Sequence, residues 1–264
     1  MDEDRYDFRR GAVKPMVCLR EAWQLIKDDY WLFLGISFVG TLLGSVGPLG
    51  ILLGPAMCGI HLCLLRRMHD KRVSFDMLFR GFDYFGQSFI AALIIMVPMM
   101  LFLVLWYVAF FALMISVGVP LDQQKRGAPP NDASIGMLFG VMGIMYVALI
   151  VVLMAIHALF LFAFPLIVDR GLSGVEAAKL SMKAVFGNLG GVIGLMLLTL
   201  LLGIAGEMAC CVGLILVLPL THAMVTIAYG QVFHEPGDFE AIAALESEPR
   251  LPGDTSITAS DPNG

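Results

Sequence analysis

The fold is decided by one uninterrupted apolar stretch, residues 84–121, which reads YFGQSFIAALIIMVPMMLFLVLWYVAFFALMISVGVPL. It contains no Asp, Glu, Lys or Arg. A helix crosses the roughly 30 Å hydrocarbon core of a bilayer with about 20 apolar residues. Pro98 would remove one backbone hydrogen bond and kink such a helix. The stretch therefore predicts a membrane-spanning helix near residues 87–117.

Four further apolar windows lie at residues 30–65, 133–168, 184–206 and 208–234. The first is too long for one crossing and has Gly47-Pro48-Leu49-Gly50, a turn signal, at its middle. Dividing it there predicts six spans, near residues 31–46, 49–65, 87–117, 135–166, 189–205 and 212–232. The hairpins at 31–65 and 189–232 are tight, so each could either cross the membrane fully or form a re-entrant hairpin.

The composition supports a membrane protein over the whole chain. Hydrophobic residues make up 58% of the 264, and charged residues 15%, against about 25% charged in soluble domains. The five cysteines show no paired spacing of the zinc or redox type. We therefore expect an all-α, polytopic membrane helix bundle over residues 31–234.

Basic residues predict the orientation of this bundle. Fifteen of the 17 Lys and Arg residues fall on one side of the six-span arrangement, and only Lys125 and Arg126 fall on the other. Because Lys and Arg accumulate in cytoplasmic loops, both termini are predicted to be cytoplasmic. Residues 1–30 would form a cytoplasmic N-terminal segment. Residues 235–264 are acidic and rich in proline, which predicts a disordered tail.

Each pair of predicted spans follows a short amphipathic stretch. The capping box Ser173-x-x-Glu176 starts the third of them. We expect these stretches to lie in the membrane interface, or to extend the spans into the cytoplasm. Their apolar positions are Met16, Leu19, Trp23, Ile26 and Tyr30; Phe75, Leu78, Phe79, Phe82 and Phe85; and Val175, Ala178, Met182 and Val185.

The first and last hairpins also suggest an internal repeat. Residues 31–35 align with residues 190–194, and Gly54-Pro55-Ala56 then falls on Leu218-Pro219-Leu220. The two copies would share one orientation, which makes the repeat parallel. Small residues four apart, which let spans pack closely or line a pore, occur at Gly40 and Gly44, Gly50 and Gly54, and Gly136 and Gly140.

Polar residues inside the spans are the first candidates for a site. His61, His157 and His222 are predicted to lie within the membrane, where ionisable groups are costly and often functional. A haem or metal site would follow only if they converged, and neutral histidines bonded to nearby carbonyls are the alternative. Glu207, beside Cys210 and Cys211, is either a turn residue at headgroup level or a proton or cation site.

A basic cluster after the second span, formed by Arg66, Arg67, Lys71 and Arg72, is the candidate for binding anionic lipid headgroups. The alternative is that it only sets the topology. The sequence contains no nucleotide-binding or hydrolase motif, so no catalytic residue, cofactor or metal site is predicted. Nucleic-acid binding has no support, because the basic residues belong to the membrane face.

The segments 211–220, CVGLILVLPL, and 228–233, AYGQVF, resemble the last span of a bacterial family of uncharacterised membrane proteins. Phe164-Pro165, followed by Gly174-Val175-Glu176-Ala177, is also similar. Related proteins include the membrane domain found ahead of glycerophosphoryl diester phosphodiesterases. The resemblance covers most of residues 16–234. It implies a six-helix bacterial membrane domain without an assigned activity, and it carries over no catalytic residue.

Two functions follow as hypotheses. The first is a non-enzymatic inner-membrane protein that interacts with lipid, or acts as an accessory component, through its basic and amphipathic cytoplasmic surface. The second is a transporter or permeability protein for a small solute or lipid, with a path lined by Thr41, His61, Thr199 and His222. A polar central cavity would favour transport, whereas a tightly packed core would favour the accessory role. The sequence does not indicate an oligomeric state.

Overall fold

A computed structural model describes residues 7–46, 50–118, 132–209 and 212–234. The predicted turn at 47–49, most of the loop at 118–134, the cysteine pair at 210–211 and the tail at 235–264 lie outside these ranges. Within them, all regular secondary structure is helical. Five helical segments are long and apolar enough to cross a membrane: Pro15–Val46, Phe75–Leu113, Phe139–Arg170, Leu189–Met208 and Val212–Phe233. The chain is an all-helical, multi-pass membrane protein.

The described residues form nine α-helices and two 3₁₀ segments. The 3₁₀ segments are Lys27–Asp29 and Phe75–Tyr84. The helices are α1 (Pro15–Ile26), α2 (Tyr30–Val46), α3 (Leu53–Met68), α4 (Phe85–Gly118), α5 (Asp132–Leu159), α6 (Ala163–Arg170), α7 (Gly174–Gly187), α8 (Leu189–Met208) and α9 (Val212–Phe233).

Helix α3 differs from the five long segments. It has 16 residues, which give a length of about 24 Å, and its last turn contains Arg66 and Arg67. Ten of its residues are buried, because α2, α9, α6 and the 3₁₀ segment Phe75–Tyr84 all pack around it. α3 is therefore a central helix of the fold, and a sixth crossing of the membrane stays a prediction.

The candidate segment Phe139–Arg170, which contains most of the predicted fourth span at 135–166, is not one continuous helix. Helix α5 stops at Leu159, and a turn separates it from α6. Pro165 has no N–H to donate to the carbonyl of Leu161, so a continuous helix would lose a bond there. Ser181 of α7 occupies the gap: its Oγ accepts from the N–H of Phe162 at 3.1 Å and donates to the carbonyl of Leu159 at 3.0 Å.

The best-packed part of the molecule surrounds α3, α6 and α9. Large side chains that are fully buried there include Tyr229, Phe33, Phe162, Ile60 and Leu166. The second half of α4 and most of α5 have the opposite character, because their apolar side chains are exposed, as are Val97, Leu101, Val108, Phe111, Ile144 and Val147. Exposed apolar surface of this extent is typical of contact with lipid.

Residues 7–14, here named the N-terminal strap, cross the carboxyl ends of α7 and α9. The N–H of Arg9 donates to the carbonyl of Val232 at 2.8 Å, and the N–H of Gly11 donates to that of Gly187 at 3.1 Å. The last carbonyls of a helix have no partner within the helix. The strap supplies donors for both helix ends, and Val13 within it is buried.

Glycines permit the closest contacts between elements. A Cβ at Gly59 would collide with the carbonyl of Leu78, and one at Gly191 with that of Val13. The predicted close approach at Gly40 also exists, against Ile60. In contrast, a Cβ at Gly136 or Gly140 would meet nothing within 4 Å. This glycine pair therefore takes no part in packing among the described residues.

Candidate functional site

Helix α1 presents different residues to the protein and to its surroundings. Cys18, Ala22 and Ile26 are fully buried on the side that packs against α9. Met16 and Trp23 are 69% and 51% exposed. The sequence placed Met16, Trp23 and Ile26 on one apolar face, and the structure corrects this. The apolar residues of α1 therefore lie on two faces, one that packs in the core and one that faces the surroundings.

The 3₁₀ segment Phe75–Tyr84 is divided in the same way. Leu78 and Gly81 are buried against α3, whereas Phe75 and Phe79 are exposed. Their rings make an edge-to-face contact with centroids 6.2 Å apart. Leu78 and Gly81, three residues apart, lie on the same side of the 3₁₀ helix, whereas Phe79 lies on the next side.

Helix α7 begins at the predicted capping box, which is confirmed. The Oγ of Ser173 accepts from the N–H of Glu176 at 3.3 Å, and the Glu176 carboxylate accepts from the N–H of Ser173 at 3.1 Å. The inner face of the helix contains Ala177, Leu180 and Ala184. Its outer residues are Val175, Lys179, Lys183 and Phe186.

The basic cluster after α3 is divided between internal and outward contacts. Arg67 forms an ion pair with Asp29 at 3.1 Å and donates from Nε to the carbonyl of Leu25 at 3.4 Å. Arg66 is half-buried and lies 3.8 Å from the sulfur of Met77. Lys71 and Arg72 are exposed. Arg67 therefore joins α3 to the junction of α1 and α2, and the outer half of the cluster faces the surroundings.

Two of the three intramembrane histidines meet in the structure. His61 of α3 and His222 of α9 have ring centroids 6.4 Å apart, with the rings nearly perpendicular. The Nδ1 of His61 lies 2.9 Å from Oγ1 of Thr226. When the Thr226 hydroxyl donates to the carbonyl of His222, 3.0 Å away, Nδ1 of His61 is the donor in this pair. Its neutral form then has the proton on Nδ1.

The third histidine, His157 of α5, is exposed. Within the described ranges, no three His, Cys, Asp or Glu side chains are grouped as metal ligands would be. The arrangement fits a close pair of histidines, of which His61 is buried and His222 half-buried, with a hydroxyl partner and a third histidine nearer the surface.

The remaining sequence candidates lie apart from the histidines. Glu207 is exposed in the last turn of α8, and its neighbours Cys210 and Cys211 are outside the described residues. Thr199 donates to the carbonyl of Met196 within its own helix at 2.9 Å. Glu207 is therefore a helical residue beside the end of α8, and both interpretations of it stay predictions.

A polar cluster at the carboxyl end of α9 was not found from the sequence. The Tyr229 hydroxyl donates to Oδ2 of Asp169 at 2.6 Å, and Nε2 of His234 lies 3.4 Å from the same oxygen. Arg170 donates to the carbonyl of Phe233 at 2.6 Å and lies over its ring. The only sign of this cluster in the sequence was the adjacent pair Asp169 and Arg170 at the end of an apolar window. Nothing in the sequence indicated that Tyr229, Phe233 and His234 would be their partners.

Comparison of the chain with protein-family models, with curated proteins and with solved structures found no match.

Proposed function

We propose that this chain is a non-enzymatic, lipid-interacting accessory component of a bacterial inner membrane. The observation that carries the proposal is the outward face of the three elements that precede the helical hairpins. Trp23 of α1, Phe79 of the 3₁₀ segment and Phe186 of α7 are each about half exposed or more, at 51%, 49% and 66%. Exposed aromatic residues beside cations are typical of surfaces that rest in the headgroup region.

The proposal includes the topology that the basic residues indicate. In it, six spans place both termini in the cytoplasm, and α3 completes the first hairpin. The order of elements supports a parallel repeat, because α1–α2–α3 and α7–α8–α9 each consist of a short helix followed by a hairpin. The resemblance to the membrane domain associated with glycerophosphoryl diester phosphodiesterases belongs to the same proposal.

The packing around α3 and α9 favours an accessory role over transport. Side chains such as Tyr229, Phe162 and Ile60 fill this region. The N-terminal strap also closes the ends of α7 and α9. A transporter must rearrange its helices to open a path to each side of the membrane in turn, and this tightly packed region would have to come apart. An accessory protein needs no such rearrangement.

A transporter or permeability protein for a small solute or lipid is the second candidate. The hydrogen-bonded pair of His61 and Thr226 beside His222 favours it, because buried polar groups inside a membrane often mark a pathway.

The two candidates are separated by one pair of measurements on purified protein. Phospholipid that co-purifies after exchange into lipid-free detergent is quantified, and the protein is then reconstituted into vesicles containing a fluorescent phospholipid. An accessory lipid-binding protein retains phospholipid and leaves the inner-leaflet probe protected from an external reductant. Loss of all phospholipid would contradict the proposal, and bleaching of the inner-leaflet probe would establish lipid transport instead.

A further inference from the structure

We propose that the three elements preceding the hairpins are separate docking surfaces for anionic phospholipids, which rests on the proposed lipid-interacting function and names its partner. Each surface combines two exposed cations with exposed aromatic or apolar side chains. The α1 surface is Met16, Arg20, Trp23 and Lys27; the 3₁₀ surface is Arg72, Phe75, Phe79 and Arg80; and the α7 surface is Val175, Lys179, Lys183 and Phe186.

The three surfaces occupy equivalent places in the chain. Tyr30 begins α2 after the short 3₁₀ segment that follows α1, Phe85 begins α4 directly after Tyr84, and Leu189 begins α8 two residues after α7 ends. Each surface therefore leads into the first helix of an apolar hairpin. An element at that position lies where the hydrocarbon core gives way to headgroups.

Close backbone contacts hold each surface in a fixed orientation. Gly81 lies against the carbonyl of Pro55, and Gly174 lies against that of Gln87. On α1, Cys18 and Ala22 are fully buried. Since the inner face of each element packs against the protein, the side chains on its outer face point away from the protein.

The chemistry of each surface matches a phospholipid. Aromatic and apolar side chains suit the boundary between headgroups and acyl chains, and Lys and Arg attract anionic headgroups. The number of carboxylates nearby ranks the surfaces. Glu21, Asp28 and Asp29 adjoin the α1 surface, Asp76 and Asp83 adjoin the 3₁₀ surface, and Glu176 adjoins the α7 surface.

The surface on α7 is consequently expected to be the most selective for anionic lipid, and that on α1 the least. The predicted basic cluster contributes less than its sequence suggested. Arg67 is held by Asp29, so Arg72 is the member that we assign to lipid, together with Arg80 from outside the cluster.

The test is native mass spectrometry of the full chain, released from nanodiscs that contain equal amounts of phosphatidylglycerol and phosphatidylcholine. The ratio of retained phosphatidylglycerol to phosphatidylcholine is compared for the natural protein, for K179Q/K183Q, R72Q/R80Q and R20Q/K27Q, and for the charge-preserving control R72K/R80K. We expect K179Q/K183Q to lower the preference of its surface roughly thirtyfold. R72K/R80K should keep the natural ratio. Melting curves confirm that each variant is folded.

Equal retention of the two lipids by the natural protein would overturn this proposal and leave general lipid binding intact. Retention of neither lipid would overturn both this proposal and the proposed function. A natural preference that all three glutamine variants preserve would place the anionic site elsewhere. A dimer in lipid-free detergent that these variants dissociate would show that the surfaces bind a second copy of the chain, and would also overturn the proposal.

Discussion

Tyr229 of α9 donates a hydrogen bond of 2.6 Å from its hydroxyl to Oδ2 of Asp169, which lies in α6. Tyr229 is fully buried, and the bond joins α9 to α6 through two residues that are 60 positions apart in the chain. Nε2 of His234 approaches the same carboxylate oxygen at 3.4 Å. The carboxylate therefore fixes the carboxyl end of α9 through two side chains.

Tyr229→Phe should lower the free energy of unfolding by about 1.5–3 kcal/mol, the usual range for a hydrogen bond to a charged group. Because phenylalanine keeps the packing of the ring, the loss of unfolding free energy measures the contribution of the hydroxyl group alone. Denaturation by sodium dodecyl sulfate in mixed micelles measures it. Tyr107→Phe is the control, since that ring is 51% exposed on α4. Equal stability losses in the two variants would contradict the role of the bond to Asp169.

Asn188→Ala should release the N-terminal strap. The Asn188 side chain is 2% exposed. Its Oδ1 accepts from the N–H of Ala12 at 2.7 Å, and its Nδ2 donates to the carbonyls of Arg9 at 2.8 Å and Ala184 at 2.9 Å. Without these bonds, the strap opens locally more often.

Limited digestion with trypsin checks this, because cleavage after Arg9 and Arg10 should become faster in Asn188→Ala. Gln24→Ala, at an exposed position of α1, should leave the rate of cleavage unchanged. A strap that stays equally resistant in both variants would show that Asn188 does not hold it.

Gly191→Ala and Gly190→Ala form a matched pair in the first turn of α8. A Cβ at position 191 would collide with the carbonyl of Val13, whereas one at position 190 would meet nothing within 4 Å. Gly191→Ala should therefore cost about 1–3 kcal/mol, as overpacking usually does. Gly190→Ala should be neutral or slightly stabilising, because alanine favours the helix. Melting temperatures of the two variants in one detergent decide the matter, and a reversed order would be inconsistent with the strap contact.

Thr226→Val removes the hydroxyl that is hydrogen-bonded to His61 and should destabilise the protein by about 1–3 kcal/mol, since a buried ring nitrogen is left without its partner. Thr226→Ser keeps a hydroxyl and should restore most of this loss. Thr199→Val is the control, because the Thr199 hydroxyl bonds only within its own helix. Unfolding in mixed micelles compares the three variants. A Thr226→Ser variant as unstable as Thr226→Val would assign the effect to packing of the methyl group.

Features that depend on neighbouring residues were predictable from the sequence. The capping box of Ser173 and Glu176 is one such feature, because both partners lie within one helical turn. The apolar windows also located α4, α8 and α9 to within a few residues. Membrane helices follow from local composition, since each must satisfy its own backbone hydrogen bonds.

Features that depend on distant partners were not predictable. The end of α5 at Leu159 relies on the hydroxyl of Ser181, 22 positions later in the chain. The division of α1 into two faces relies on packing against α9, which the sequence of α1 does not contain; Cys18 and Ile26 are buried and Met16 is exposed. Among the histidines, the sequence identified His61 and His222 but not Thr226, because no spacing pattern relates residues on α3 to residues on α9.

The N-terminal strap also constrains the order in which the protein can be completed. Arg9 leaves the ribosome before His234, yet its guanidinium donates to the carbonyl of His234, 225 positions later. The first residues must therefore wait, without their final partners, until the last helix has been synthesised and has joined the bundle. An N-terminal truncation that removes the strap should consequently leave the insertion of the early helices intact and impair only the last step of assembly.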